Sequence, residues 1–313
     1  MNLIITGVHG FVGSNLTKAL RKNNDIYGLD IVAPEKDGVI HTFSWADLEN
    51  HSLPDSDAII HLAGKAHDTR NQSNAQVYFD VNTKLTQKVY DYFLSSSAQK
   101  FIFFSSVKAA ADTVLGNILT EDVIPNPKGP YGESKIRAEQ YIQNNWPPSD
   151  SGKSIYILRP CMIHGPGNKG NLNLLYNIIK RGIPWPLGAF ENRRSYCSIE
   201  NICYVIDRLI KGCIASGIYH ISDDEAIATN ELIELMCKTL NKKPKIWNLS
   251  KNFMTGIARL GGTFHLPLNP QTLQKLTENY IVSNEKIKTA LGIGYLPISA
   301  QEGLSRTFKS FRR

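Results

Sequence analysis

The residues that most restrict the fold stand at the start of the chain. Leu3-Ile4-Ile5 is a short apolar run that reads as a strand, and residues 12–21 have the spacing of an amphipathic helix. Between them, Thr6-Gly7-Val8-His9-Gly10-Phe11-Val12-Gly13 carries glycines in the pattern G-x-x-G-x-x-G. A strand that turns at once into a helix needs residues without Cβ, for its backbone angles and to let a pyrophosphate approach the main chain. The amides at the helix start then face the phosphates. Gly7, Gly10, Phe11, Val12 and Gly13 are therefore candidate cofactor-binding residues. Asp30 ends the next apolar run, 26–29, and stands 17 residues past Gly13. A carboxylate there accepts bonds from both adenosine ribose hydroxyls and repels a 2′-phosphate, which favours NAD over NADP. No arginine stands in residues 31–40 to take such a phosphate, although Lys36 is a substitute for one. Asp47 and Leu48, after a third strand, are candidates to border the adenine.

Beyond this turn, strand-like runs at 58–62, 101–104 and 154–158 alternate with helical stretches at 77–94 and 130–144. Such alternation predicts an α/β fold with a Rossmann-type doubly wound parallel sheet, its short all-apolar strands buried on both faces. The pattern breaks after Cys161. Gly165-Pro166-Gly167-Asn168-Lys169-Gly170-Asn171 is turn-rich, and helices follow at 172–181 and 229–240. The division expected is a Rossmann domain over 1–165, with a return segment at 196–222, and a smaller mixed α/β substrate domain over 166–313.

Composition removes several function classes. No run of about 18 apolar residues predicts membrane insertion, and the N-terminus lacks the charged and apolar regions of a secretory signal. The 35 Lys and Arg against 28 Asp and Glu leave a net charge of +7, which suits an anionic ligand. No block of like charges marks a nucleic-acid arm. The five cysteines form no C-x-x-C, and the eight histidines, His67 and His265 among them, form no H-E-x-x-H. Neither a disulfide framework nor a metal site is expected, and the cysteines fit a reducing cytoplasmic location.

Tyr131 and Lys135 stand four apart in Pro130-Tyr131-Gly132-Glu133-Ser134-Lys135, so a helix there presents both on one face. An ammonium near a phenol is expected to lower the tyrosine pKa toward neutrality. A phenol so tuned can exchange a proton with a carbinol while hydride moves to or from a nicotinamide. Ser105 and Ser106 follow the strand at 101–104 and so sit at the carboxyl edge of the sheet, where open α/β sheets bind ligands.

Thr6-Gly7-x-x-Gly10-Phe11-x-Gly13, Asp30, His61-Leu62-Ala63-Gly64, Asn82, Ser105-Ser106, Tyr131-x-x-x-Lys135 and Leu158-Arg159-Pro160 occur in that order. Together they resemble an extended short-chain dehydrogenase/reductase of the nucleotide-sugar epimerase/dehydratase type, similar to UDP-galactose 4-epimerases. The resemblance implies a tightly held NAD, a UDP-sugar substrate, a role in polysaccharide biosynthesis, and a homodimer formed through the helices at 77–94 and 130–144. It implies that Ser106, Tyr131 and Lys135 are catalytic. It adds Leu62, Ala63, Gly64, Lys65, Asn82 and Ser105 to the cofactor residues, with Tyr131 and Lys135 also contacting the cofactor. His164-Gly165-Pro166-Gly167 resembles a Tyr-Gly-Pro-Gly stretch of that family. Ser106, Asn171, Leu187 and Arg194 become substrate-binding candidates, the arginine for a diphosphate. Asn284 stands where the family often has aspartate. Dehydratases of this type place an acid pair after the catalytic hydroxyl, whereas Ser106 is followed by Val107-Lys108, which argues against 4,6-dehydration. The expected activity is C4 epimerisation of a UDP-hexose or UDP-N-acetylhexosamine. The alternatives are an NAD(P)H-dependent 4-keto-6-deoxy-sugar reductase and a non-catalytic NAD-binding sensor.

Overall fold

The computed structural model describes residues 1–32, 34–66, 74–168, 170–263 and 268–312; Lys169 of the turn-rich stretch, His67 and His265 lie outside the described residues. The strands in chain order are β1 (Asn2–Thr6), β2 (Asp25–Leu29), β3 (His41–Phe43), β4 (Ala58–His61), β5 (Lys100–Phe104), β6 (Ser154–Pro160), β7 (Met162–His164), β8 (Arg193–Arg194), β9 (Tyr196–Ser198), β10 (Gly217–Ile221) and β11 (Ile227–Ala228). Seven of them make one parallel sheet in the order β10-β6-β5-β4-β1-β2-β3. The order reverses at β1, which puts a topological switch point beside the glycine turn. Short pairs β7·β9 and β8·β11 stand apart from this sheet.

Strand geometry explains why the sheet takes helices on both faces. Leu3 and Ile5 of β1 enter one core with Leu16 and Leu20 of α1 (Phe11–Leu20), while Ile4 enters the opposite core. That second core holds Phe101 and Phe103 of β5 with Tyr90 and Phe93, whose rings lie 5.1 Å from Phe101. The short α2 (Trp45–Glu49) opens on a capping box between Ser44 and Asp47.

Over 77–94 the chain does not form the single helix that its pattern predicts. It forms α3 (Ala75–Tyr78), a π-helical segment (Phe79–Lys84) and α4 (Leu85–Ser95). The widened turn buries both Asn82 and Thr83. Their side chains bond α6 (Pro130–Asn144): Asn82 Nδ2 donates to Ser134 Oγ at 3.0 Å and Thr83 Oγ1 to the Ser134 carbonyl at 2.8 Å. Apolar spacing carries no sign of this, because the apolar stripe continues on either side. The one-turn α5 (Val107–Ala110) precedes α6.

The remaining helices are α7 (Asn171–Lys180), α8 (Ile199–Lys211), α9 (Thr229–Leu240), α10 (Lys251–Thr263), α11 (Pro270–Thr277), α12 (Glu285–Leu291) and α13 (Ala300–Ser310). α8 packs on α1, and its Ile202, Val205, Ile206 and Leu209 complete the first core. A third core gathers Tyr176, Trp185, Leu232, Met236 and Phe308 from α7, α9, α13 and the chain between.

Candidate active site

The glycine turn is built for close approach. Gly7 has φ +67°, a conformation that favours glycine, and its amide donates to the Leu29 carbonyl at 2.8 Å. A Cβ on Gly13 would lie 2.3 Å from the Gly7 carbonyl oxygen, so helix and turn could not pack. Gly10 caps α1 without any side-chain acceptor, which leaves the first-turn amides of Phe11, Val12 and Gly13 as a donor set for an anion. Asp30 follows β2; its Oδ2 accepts from the His9 amide at 3.0 Å and its Oδ1 from the Ile31 amide at 2.8 Å. Each carboxylate oxygen keeps a lone pair for a ribose hydroxyl. This donor and acceptor set fits a dinucleotide. Lys36 also reaches the turn, donating to the Val8 carbonyl and to Ser14 Oγ at 2.7 Å each. The loop at Gly165 and Gly167 seats against Phe11, and Asn15 Nδ2 donates to the Pro166 carbonyl at 3.2 Å. Asp47 spends its carboxylate on Ser44, and the Leu48 side chain enters the second core.

A buried polar chain holds the next loop. Thr6 Oγ1 accepts from the Leu62 and Ala63 amides at 3.1 and 3.0 Å, so its own proton goes to His61 Nδ1 at 2.7 Å. His61 Nε2 then donates to Thr86 Oγ1 at 2.9 Å, and Thr86 donates to the Asn82 carbonyl at 2.7 Å. Burial, helped by the Lys135 charge, pushes the His61 pKa down to about 3, so the ring stays neutral. Asn82 Oδ1 accepts from the Lys65 amide at 2.8 Å and Nδ2 donates to the Lys65 carbonyl at 3.1 Å. A Cβ on Gly64 would lie 3.2 Å from Lys135 Nζ, so this loop runs directly over the lysine. Leu62, Ala63, Gly64, Lys65, Asn82 and Lys135 are thus brought together.

Tyr131, Ser106 and Lys135 meet at the carboxyl edge of β5. Ser106 caps α5, accepting from the Lys108 amide at 3.2 Å, and hydrogen-bonds the Tyr131 phenol. Lys135 Nζ donates to the Phe104 carbonyl at 2.7 Å, and burial lowers its pKa to about 8 against the raising influence of Glu139. The expected depression of the Tyr131 pKa is corrected by the structure. Burial pushes it up, outweighing the Ser106 bond, while the lysine ammonium donates to the Phe104 carbonyl. Ser105 is likewise directed inward, donating to Glu139 Oε1. Glu139 receives Arg159 through Nε at 3.0 Å and Nη2 at 2.6 Å, with both side chains fully buried. Glu139 escaped the sequence reading, although its place one turn after Lys135 puts it on the same helix face.

The substrate candidates are spread more widely. Asn171 is exposed at the start of α7, and Leu187 has its side chain in the third core. Arg194 donates from Nη2 to the Lys275 carbonyl and to Glu278 Oε1 at 3.4 Å, while its Nε is buried with no partner among the described residues. Asn284 is buried and donates to the Ser222 carbonyl and to Asp224 Oδ1 at 3.0 and 2.9 Å. Lys108, noticed in the sequence only as the residue that displaces an acid, lies 4.5 Å over the Tyr280 ring and 3.1 Å from Asp112 Oδ1. Among the described residues no cluster of His, Cys, Asp or Glu could hold a metal, and no helix is long and apolar enough to cross a membrane.

Comparison with known proteins agrees with this architecture. Residues 3–221 match the model of the NAD dependent epimerase/dehydratase family. The chain is 30 % identical over 258 residues to a UDP-glucose 4-epimerase of Vibrio cholerae, covering 77 % of this chain and 76 % of that protein. It is 27 % identical over 294 residues to the N-acetyl-alpha-D-glucosaminyl-diphospho-ditrans,octacis-undecaprenol 4-epimerase of Escherichia coli O157:H7, covering 92 % and 84 %. The fold superposes with TM-score 0.76 on the UDP-glucuronic acid 4-epimerase of Bacillus cereus solved with NAD, at 20 % identity and covering 100 % and 99 %. The extent of these matches, with the glycine turn and the Ser106, Tyr131 and Lys135 grouping, identifies the chain as an enzyme of the NAD dependent epimerase/dehydratase family, with NAD as its cofactor.

Proposed function

We propose that the enzyme inverts C4 of a UDP-hexose or UDP-N-acetylhexosamine through a 4-keto intermediate. The observation that carries this reading is the convergence of Tyr131, Ser106 and buried Lys135 at one sheet edge, beside the Gly64 loop. Bound at the glycine turn, NAD supplies a hydride acceptor at C4 and a positively charged ring. Tyr131 takes the C4 hydroxyl proton as the carbon loses its hydride, and returns a proton to that oxygen when hydride comes back to the opposite face. Ser106 holds the same oxygen and shares its hydrogen bond with the phenol. Lys135 offers an ammonium for the nicotinamide ribose, and its charge favours the phenolate once cofactor and substrate close the site. Asp30 favours NAD over NADP at the adenosine end. Arg194 would exchange its bond to Glu278 for the diphosphate, and Asn171 and Leu187 would line the sugar-nucleotide path. In this reading residues 1–165 with 196–222 hold the cofactor and 166–313 the substrate.

A UDP-4-keto-6-deoxy-sugar reductase would use the same three residues in one direction. The short passage between Asp47-Leu48 and β4 favours that second reading. We place the enzyme in the cytoplasm as a homodimer, its copies meeting along a groove of about 780 Å³ bordered by Phe79, Thr83, Lys84, Glu133, Arg137 and Tyr141. The test is product analysis with a panel of UDP-hexoses and UDP-N-acetylhexosamines without added reductant. C4 epimers are expected. Consumption of a UDP-4-keto-6-deoxy-hexosamine with stoichiometric NAD(P)H oxidation, and no epimers, would establish the reductase instead.

A further inference from the structure

One stretch of the chain differs from the rest in charge. Between Glu234 and Glu278 there is no Asp or Glu, yet seven Lys and Arg residues stand there, from Lys238 to Lys275. Outside it the chain carries 28 basic and 28 acidic residues, so the whole surplus of seven positive charges lies in this segment. All seven are exposed, and none forms an ion pair among the described residues.

The same segment carries exposed apolar surface. α10 buries Met254, Ala258 and Gly261 against the third core, as an amphipathic helix should. Phe253, Ile257 and Leu260, spaced i, i+4, i+7, form a second stripe that is 56 %, 37 % and 62 % exposed. Trp247, just before the helix, is 55 % exposed. The strand-like passage that carries Trp247 is pinned to the third core, since Trp185 N donates to the Lys245 carbonyl and Trp247 N to the Trp185 carbonyl, both at 2.8 Å. On the near side of that passage, Lys242, Lys243 and Lys245 rim a cavity of about 310 Å³ floored by Ile179, Ile183 and Cys237. Basic rim, indole and aliphatic stripe thus follow one another along a single continuous run of chain.

We propose that this run is a docking face for an anionic lipid bilayer. An interfacial surface of this kind pairs aromatic and aliphatic side chains, which enter the acyl boundary, with lysines that stay at the headgroups. Charge complementarity selects this occupant. A second copy of the chain would set lysines against lysines, and the aliphatic Ile257 and Leu260 do not suit a nucleic acid, which asks for stacking planes and phosphate donors. The docking does not depend on which sugar the enzyme turns over.

Vesicle sedimentation of the full chain tests this, with vesicles of phosphatidylcholine alone and of phosphatidylcholine with phosphatidylglycerol in equal parts. The protein should sediment only with the anionic vesicles, and added salt should release it. Replacing Lys243→Gln with Lys245→Gln should weaken binding roughly 25-fold, at roughly fivefold per charge. Replacing Phe253→Ser with Leu260→Ser should weaken it on the order of tenfold or more. Both pairs are exposed and should leave the thermal unfolding midpoint unchanged. Indole emission should shift to the blue on adding anionic vesicles and lose that shift in Trp247→Phe. No sedimentation with anionic vesicles, equal sedimentation with neutral ones, or binding indifferent to both variant pairs would overturn the proposal. So would self-association in the absence of lipid that Leu260→Ser abolishes, or vesicle-free capture of an acidic protein through the same lysines.

Discussion

At the carboxyl edge of the sheet, the polar groups around Lys135 are spent on one another before any ligand arrives. Thr6, His61, Thr86 and Asn82 form one hydrogen-bonded chain, and Ser105, Glu139 and Arg159 another, with Lys135 lying near both. The region around Trp185 and Arg194 is different. Trp185 Nε1, Asn230 Oδ1 and Arg194 Nε are buried with no partner among the described residues, and one terminal nitrogen of Arg194 is held by Glu278 and the Lys275 carbonyl. A satisfied network keeps one geometry, whereas a half-satisfied one gains by re-pairing. Under the proposed function, the chemistry would be set by a rigid frame and substrate recognition left to groups that exchange partners.

That contrast can be broken by substitution, beginning with the largest effect. Tyr131→Phe removes the proton acceptor and should cut turnover roughly 10²–10⁴-fold while calorimetric NAD binding stays near normal. Near-normal turnover would detach the chemistry from the rigid edge. Glu139→Ala strands the buried Arg159 charge and should cost about 3–5 kcal/mol in urea unfolding. A loss within experimental error would mean that the frame is not held by this pair. Arg194→Ala should raise KM roughly 10–100-fold with kcat little changed, the effect of losing a charge-assisted bond made in ground and transition states alike. An equal fall in kcat would place Arg194 in the chemistry instead. Smaller effects sharpen the picture. Lys135 is an ammonium below its pKa of about 8, so activity that needs the charge should fall as pH rises through that value. Lys135→Arg should keep the charge and move that limb upward, whatever it costs in rate. Smallest of all, Lys36→Ala should widen the preference for NAD over NADP in calorimetry, because it removes a lysine beside Val8 and Ser14 whose charge couples to Asp30.

What the sequence disclosed follows the same division. The strand, turn and helix at residues 2–20 were legible because a single local constraint, close backbone approach, needs glycine at fixed positions. The parallel sheet was legible from strand-to-helix alternation, and α6 matches its expected span of 130–144. The π-helical segment was not legible, since it is fixed by side-chain bonds from Asn82 and Thr83 to an element some fifty residues away. Nor could spacing give the sign of the Tyr131 shift, which depends on burial and on where the Lys135 ammonium points. Arg194 could be picked out by type, but its engagement with Glu278 joins β8 to the end of α11 and has no local signature.

In the proposed reaction one site oxidises and re-reduces C4 without exchanging its hydride. The direct measurement uses a UDP-hexose or UDP-N-acetylhexosamine deuterated at C4, incubated with the purified enzyme and no added reductant. A C4 epimer that keeps the deuterium at C4 is expected, since the hydride that leaves the carbon is the one that returns. An epimer whose C4 carries solvent hydrogen, or a product formed only when NAD(P)H is supplied, would contradict it.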